Sequence, residues 1–311
     1  MMSKERIIFM GTSEISEMYL KFLIDSHYNI IAVYSQPPRK KGRGMKVQES
    51  SVQKLAQLHN IHIFTPKDFH SEIITKELQE LQPNLIIVMG YGLKLTKPIL
   101  ELPDLGCINI HVSLLPRWRG AAPIEHALLN GDKKTGITIF KLVEKMDAGP
   151  ILVKDEIAID QHINKGELIQ KLNQQGTKLL NFVLPKIFNN ENTLIHQDEN
   201  KVTYAHKISP MMRKLDFKQE VEAVYNTIRA FAPQPAAWFI LDNERIKIIK
   251  ASFKKGNFQP STILNDQFHV GCNNGQICPE IIQREGKKPM ELKEFLKGFK
   301  FIVGSKIDAK I

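Results

Sequence analysis

Apolar positions along the first half of the chain come in short blocks whose period alternates. Residues 6–10, 30–34, 61–64, 85–89 and 107–112 are brief apolar runs of buried-strand length, whereas 15–24 and 51–59 repeat their apolar positions at helical spacing. Regular exchange of strand and helix predicts an α/β fold built on a doubly wound, mostly parallel sheet. Right-handed crossovers then place a ligand crevice at the carboxyl ends of the strands.

Further along, 135–143 and 151–159 read as strands, and 165–188 as one amphipathic helix with Leu168, Ile169, Leu172, Leu179, Leu180 and Val183 on its apolar stripe. Polar stretches at 189–192 and 197–200 interrupt the pattern. These boundaries divide the chain into a domain over 1–189, a linker over 190–206 and a second domain over 207–311. The second domain opens on a helix at 221–231, followed by short strands at 238–241, 246–249 and 268–272 parted by turn residues, which predicts a smaller β-rich module.

Composition narrows the class. A 311-residue chain with 42% hydrophobic residues is long enough for two packed cores. No apolar run approaches the ~20 residues of a membrane span, and the N-terminus leads directly into a strand, so a cytoplasmic protein is expected. Three cysteines, Cys107, Cys272 and Cys278, without a Cys-x-x-Cys pair argue against a disulfide framework and against a zinc site. Charge is uneven: 207–311 carries 18 Lys and Arg against 11 Asp and Glu, net +7 of the chain's +10. A surface of that sign attracts a polyanion, with nucleic acid the obvious candidate.

The chemistry concentrates at one strand end. Within 107–112, Asn109 and His111 alternate with apolar residues, so both project from the same face. Asp147 follows 36 residues after His111, in a turn-rich Asp-Ala-Gly-Pro segment that ends another strand-like run. Two candidate catalytic groups on one rigid strand are well positioned, and the turn presents Asp147 as a third polar group. Two chemistries are disfavoured. The first strand ends in Gly11-Thr12-Ser13-Glu14 without the further glycines of a dinucleotide turn, and Ser113 lacks the Gly-x-Ser-x-Gly elbow of a nucleophilic serine.

At Asn109-Ile110-His111-Val112-Ser113-Leu114-Leu115-Pro116 and Asp147-Ala148-Gly149 the chain resembles the folate-dependent formyltransferases. The resemblance extends through Tyr204–Ala205-His206-Lys207-Ile208 and Ile228-Arg229-Ala230-Phe231, similar to the join and first helix of the methionyl-tRNA formyltransferases, whose second domain is an OB-like barrel used against tRNA. It implies Asn109, His111 and Asp147 as catalytic residues and 10-formyltetrahydrofolate as formyl donor, with no metal. It places the folate against Met89, Gly90, Tyr91 and Gly92, against Ser113, Leu114, Leu115 and Pro116, and against Val143 and Met146 of the loop before the catalytic Asp. The acceptor it implies is the α-amino group of methionyl initiator tRNA, for translation initiation. Separately from the resemblance, a monomer is expected.

One loop favours a tRNA acceptor over a small metabolite. Between Gln36 and Lys46 it carries Arg39, Lys40, Lys41, Arg43 and Lys46 with no acidic residue, and glycines flank Arg43. Members of the family that act on tRNA have a similar Gly-Arg-Gly insertion, so these five cations are expected to contact tRNA. The chain departs from the family at Pro38, Ala148, Pro150 and Gln234, none of which removes a catalytic group. The alternatives are a formyltransferase for an amino sugar or purine precursor, and a non-catalytic tRNA-binding protein.

Overall fold

The computed structural model describes residues 4–41, 44 and 46–307. They pack as two compact units, one running from residue 4 to 121 with 136–157 and 171–205, the other of 122–135, 158–170 and 206–307.

In chain order the elements up to residue 205 are β1 (Ile7–Gly11), α1 (Glu14–Asp25), β2 (Ile30–Tyr34), β3 (Arg39–Lys41), β4 (Lys46–Gln48), α2 (Ser51–Leu58), β5 (Ile63–Phe64), α3 (Glu72–Glu80), β6 (Leu85–Met89), α4 (Lys97–Leu100), β7 (Cys107–His111), β8 (Arg119–Gly120), α5 (Pro123–Leu129), β9 (Lys134–Lys141), β10 (Ile151–Ala158), α6 (Lys165–Phe188) and β11 (Tyr204–Ala205). Seven strands form one sheet in the order β10-β9-β7-β6-β1-β2-β5. β5, β2, β1, β6 and β7 run parallel, and β9 joins β7 antiparallel. Strand order reverses between β1 and β6, the place where a doubly wound sheet opens a crevice at its carboxyl edge.

Complete burial explains the apolar runs. Ile7, Ile8, Phe9 and Met10 of β1 and Leu85, Ile86 and Ile87 of β6 have no exposed surface, because helices cover both faces of a parallel sheet. Local signals set the helix starts. Ser13 caps α1 by accepting from the Ser16 amide, and Ser50 and Gln53 form a reciprocal capping box at α2. A cap of this kind stabilises a helix by about 1 kcal/mol.

The stretch 190–206, whose polar composition predicts a linker, is hydrogen-bonded into this first unit. Ile195 bridges Ile151, and Tyr204–Ala205 pairs in parallel with Arg119–Gly120.

The remaining elements are α7 (Val221–Phe231), β12 (Ala237–Leu241), β13 (Glu244–Lys255), β14 (Val270–Cys272), β15 (Gly275–Arg284), β16 (Met290–Glu291) and α8 (Leu292–Gly298). They build a five-stranded antiparallel sheet in the order β12-β13-β15-β14, with β16 on β15. Helix α7 buries Val221, Val224, Tyr225, Ile228 and Phe231 against it at the i, i+3, i+4, i+7 spacing of an amphipathic helix. Phe268 is the centre of an aromatic cluster with Phe239, Phe295, Phe299 and Phe301. The three cysteines are free thiols and buried. No helix among the described residues is long and apolar enough to cross a membrane.

Candidate active site

β7 delivers Asn109 and His111 to the carboxyl edge of the sheet, next to β6 and the point of strand reversal. His111 is 6% exposed, and its Nε2 lies 2.8 Å from the carbonyl oxygen of Trp118. A carbonyl only accepts, so Nε2 carries a proton and Nδ1 is the nitrogen left to gain or lose one. Nδ1 faces the Asp147 carboxylate, with 3.8 Å to Oδ2. That distance makes the pair an electrostatic contact rather than a hydrogen bond. Asn109 is half-buried, and its side-chain amide forms no hydrogen bond to any described residue.

Asp147 reaches this position through an unusual backbone. Its φ of +50° is in the left-handed region, which Asp tolerates better than most side chains. Oδ2 accepts a 2.7 Å hydrogen bond from the Gly120 amide, so the chain after Trp118 and the Asp147 loop are fixed together. Gly120 has φ +119°, and a Cβ on it would lie 2.7 Å from the Ala205 carbonyl oxygen. Only glycine meets both demands.

A group outside the sequence expectations supports this loop. Gln197 donates from Nε2 to the carbonyl oxygens of Asp147 and Gly149, both at 2.8 Å. Its Oε1 accepts from Nε and Nη2 of the fully buried Arg119 at 3.1 and 2.8 Å. Arg119 Nη2 also donates to Glu199 at 2.8 Å, and Lys145 donates to the other Glu199 oxygen at 2.6 Å. These two donors hold the Glu199 carboxyl down to about 2, the Arg119 bond contributing most. The buried cation at Arg119 followed by an amide at 197 leaves no periodic trace in sequence, so the arrangement emerges only in three dimensions.

The residues expected to line a folate pocket separate into two groups. Leu114 and Pro116 are half-buried, and Val143 and Met146 are 39% and 59% exposed, so their side chains are available to a ligand. Tyr91, Ser113 and Leu115 are buried. Tyr91 is 1% exposed and packs in the core beside Phe69, Tyr34 and Leu95. Ser113 spends its hydroxyl on the Arg117 carbonyl at 2.6 Å, and Leu115 packs with Phe140 and Ile151. Met89 is also covered at 3%. These four side chains are buried, and the Ser113 hydroxyl makes the hydrogen bond within the turn that its place in the sequence suggests.

Gly90 and Gly92 have a local explanation. Both have positive φ, and a Cβ would meet the Ser13 side chain at Gly90 or the Gln36 amide at Gly92. Gln36 Nε2 and Thr12 Oγ1 both donate to the Tyr91 carbonyl, at 2.7 and 3.2 Å, which ties β1, β2 and β6 together at the crevice.

The cationic loop is a hairpin. β3 and β4 pair antiparallel, Arg39 opposite Gln48, Lys40 opposite Val47 and Lys41 opposite Lys46. Arg39, Lys40 and Lys46 are exposed, while Arg43 lies outside the described residues. A cleft of about 580 Å³ beside it is bordered by Arg39, Lys40, Ser13, Ser50 and Lys54. Among the described residues no cluster of His, Cys, Asp and Glu has the makings of a metal site.

The formyl transferase family matches residues 5–184, and the formyl transferase C-terminal domain matches 207–300. The methionyl-tRNA formyltransferase of Rhizobium rhizogenes is 38% identical over 304 residues, covering 96% of each chain. That of Anaplasma marginale is 37% identical over 304 residues, covering 96% of this chain and 98% of its own. Among solved structures, WlaRD, a sugar 3N-formyl transferase determined with dTDP and 5-N-formyl-THF, superposes with a TM-score of 0.66 at 21% identity over 92% of this chain and all of its own. With both characteristic domains present and relatives matched nearly end to end, the chain belongs to the formyl transferase family.

Proposed function

We propose that this enzyme transfers the formyl group of 10-formyltetrahydrofolate to the α-amino group of methionine esterified to initiator tRNA. The observation that carries the reading is the pairing of His111 with Asp147 beside the uncommitted amide of Asn109, on a chain 37–38% identical to methionyl-tRNA formyltransferases over nearly its whole length. The basic hairpin and the net positive charge of the C-terminal third favour a tRNA over a small amine. A cytoplasmic location follows from that role.

The donor supplies a formyl carbon already activated on a folate nitrogen. The residues present fit such a donor, because the site offers a free amide donor and a titratable ring rather than a nucleophile or a metal cage. Asn109 donates to the formyl oxygen as negative charge develops there, a contribution of about 10²–10³ in rate for a single oxyanion donor. His111 holds its Nε2 proton against Trp118 and exchanges protons at Nδ1, and the Asp147 carboxylate compensates the charge on the ring. The attacking amine needs no strong base, since an α-amino group with pKa near ~8 has a substantial neutral fraction at neutral pH.

The test is formyl transfer by the purified protein to charged initiator methionyl-tRNA, with charged elongator methionyl-tRNA as the paired acceptor. Formylation confined to the initiator is the expected result. Transfer to an amino sugar or purine precursor and to neither tRNA would overturn the reading.

A further inference from the structure

Gln197 and Arg119 form a hydrogen-bonded chain that ends on the backbone of the Asp147 loop, and nothing in the proposed reaction requires it. Arg119 is completely buried, so its charge carries a desolvation cost that must be offset by hydrogen bonds. Two of its three nitrogens are used: Nε and Nη2 converge on Gln197 Oε1, Nη2 also reaches Glu199, and Nη1 has no hydrogen-bond partner among the described residues. Gln197 is equally committed. With its oxygen turned to the guanidinium, both N–H groups point the other way, onto the carbonyls of Asp147 and Gly149. A carboxamide polarised by a cation on its oxygen is a stronger donor from its nitrogen.

The two carbonyls bracket the residue that most needs support. Asp147 has φ +50°, a conformation that persists only where neighbouring groups over-determine it. Gly120 fixes its carboxylate and Gln197 fixes its backbone, so the direction of the side chain toward His111 is set from both ends. We propose that Gln197, oriented by the buried Arg119, is a positioning residue that holds the Asp147 carboxylate against His111. This rests on the reading of Asp147 as part of the catalytic group.

The experiment compares Gln197→Ala, Gln197→Glu and Asp147→Asn in formyl transfer to charged initiator tRNA, with kcat and both KM values, alongside thermal unfolding. Gln197→Glu keeps the shape and the acceptor for Arg119 but removes both donors to the loop. Each Gln197 variant is expected to lower kcat by about 10–100-fold, within the range for a misplaced catalytic group, with both KM values within threefold. Gln197→Glu, its carboxylate paired with Arg119 but repelled by the two loop carbonyls, is expected to stay folded at the assay temperature and to lose kcat as Gln197→Ala does with both KM values kept, a split that a purely structural role would not produce. Full kcat in Gln197→Glu with Asp147→Asn inactive would overturn the positioning role and leave the catalytic reading standing. Full kcat in Asp147→Asn would overturn that reading itself.

Discussion

The Nε2 of His111 and the carbonyl of Trp118, 2.8 Å apart, decide which ring nitrogen is available for chemistry. The neutral ring is the Nε2–H tautomer, and a second proton enters on Nδ1, the side that faces Asp147 at 3.8 Å. Replacing His111 by Ala removes proton transfer and charge compensation together, and kcat is expected to fall by about 10²–10⁴. Asn109→Ala is expected to cost about 10²–10³ in kcat with little change in KM. Steady-state kinetics at saturating donor checks both. An Asn109 variant with normal kcat would remove the oxyanion assignment.

Gly120 is placed to fail when substituted. In Gly120→Ala the new methyl meets the Ala205 carbonyl, and φ +119° is unfavourable for any L side chain. The strain is expected to cost about 1–3 kcal/mol of stability. As the displaced amide is the donor to Asp147, kcat should fall along with the melting temperature. Unchanged unfolding and activity would show that the close approach of Gly120 to Ala205 is not required.

Tyr91 gives the opposite expectation. Its hydroxyl is buried without a hydrogen-bond partner among the described residues, and burial raises its pKa well above the ordinary tyrosine value. Tyr91→Phe removes a desolvated polar atom and is expected to be neutral or to stabilise by up to about 1 kcal/mol. Denaturant unfolding measures this. KM for the folate donor should not change, and a clear increase would mean that the hydroxyl meets the ligand.

Glu199 predicts a particular acid response. Its carboxyl is held down to about 2 from an ordinary 4.5, first by Arg119 and then by Lys145. A lowered carboxylate contributes stability that is complete above 4.5 and is lost as pH falls from there toward 2. Glu199→Gln should therefore be less stable than the parent at pH 6, with the gap closing as pH drops through that window. Urea midpoints at pH 6 and pH 3 provide the comparison, and a gap that stays constant with pH would contradict the assignment.

The hairpin should reveal itself through salt. Arg39→Ala and Lys40→Ala each remove one exposed cation, and each is expected to lower the slope of log affinity against log salt for tRNA by about 1. Filter binding over a salt series measures the slope. An unchanged slope in both variants would exclude phosphate contacts from β3.

What the sequence discloses depends on how far apart the interacting residues lie. Helices α6 and α7 are predicted to the residue, since an amphipathic stripe is a repeated signal. The β3–β4 hairpin leaves no such trace, because an exposed ribbon of cations has no buried face to impose alternation. The second domain's short strand predicted at 246–249 lies in the first half of the twelve-residue β13, whose bulge between Ile248 and Ala251 breaks the period of two. In the candidate site, the placing of Asn109 and His111 on one strand is legible from alternation, and the turn that carries Asp147 from its Gly and Pro neighbours. The inward course of Tyr91 is hidden by the positive-φ glycines on either side of it, and the part played by Gln197 is hidden by fifty residues of intervening chain.

Residues 185–206 fall between the two stretches that match the family's domains. Yet this interval supplies Gln197 to the Asp147 loop, Thr203 to the amide of Trp118 and Tyr204–Ala205 to the strand beside Gly120. A fragment cut where the first match ends would retain Asn109, His111 and Asp147 and lose the groups that aim them. The contacts that fix the Asp147 loop and the segment after Trp118 therefore extend to Ala205, and substitutions in an interval with the composition of a spacer are expected to register as defects in turnover.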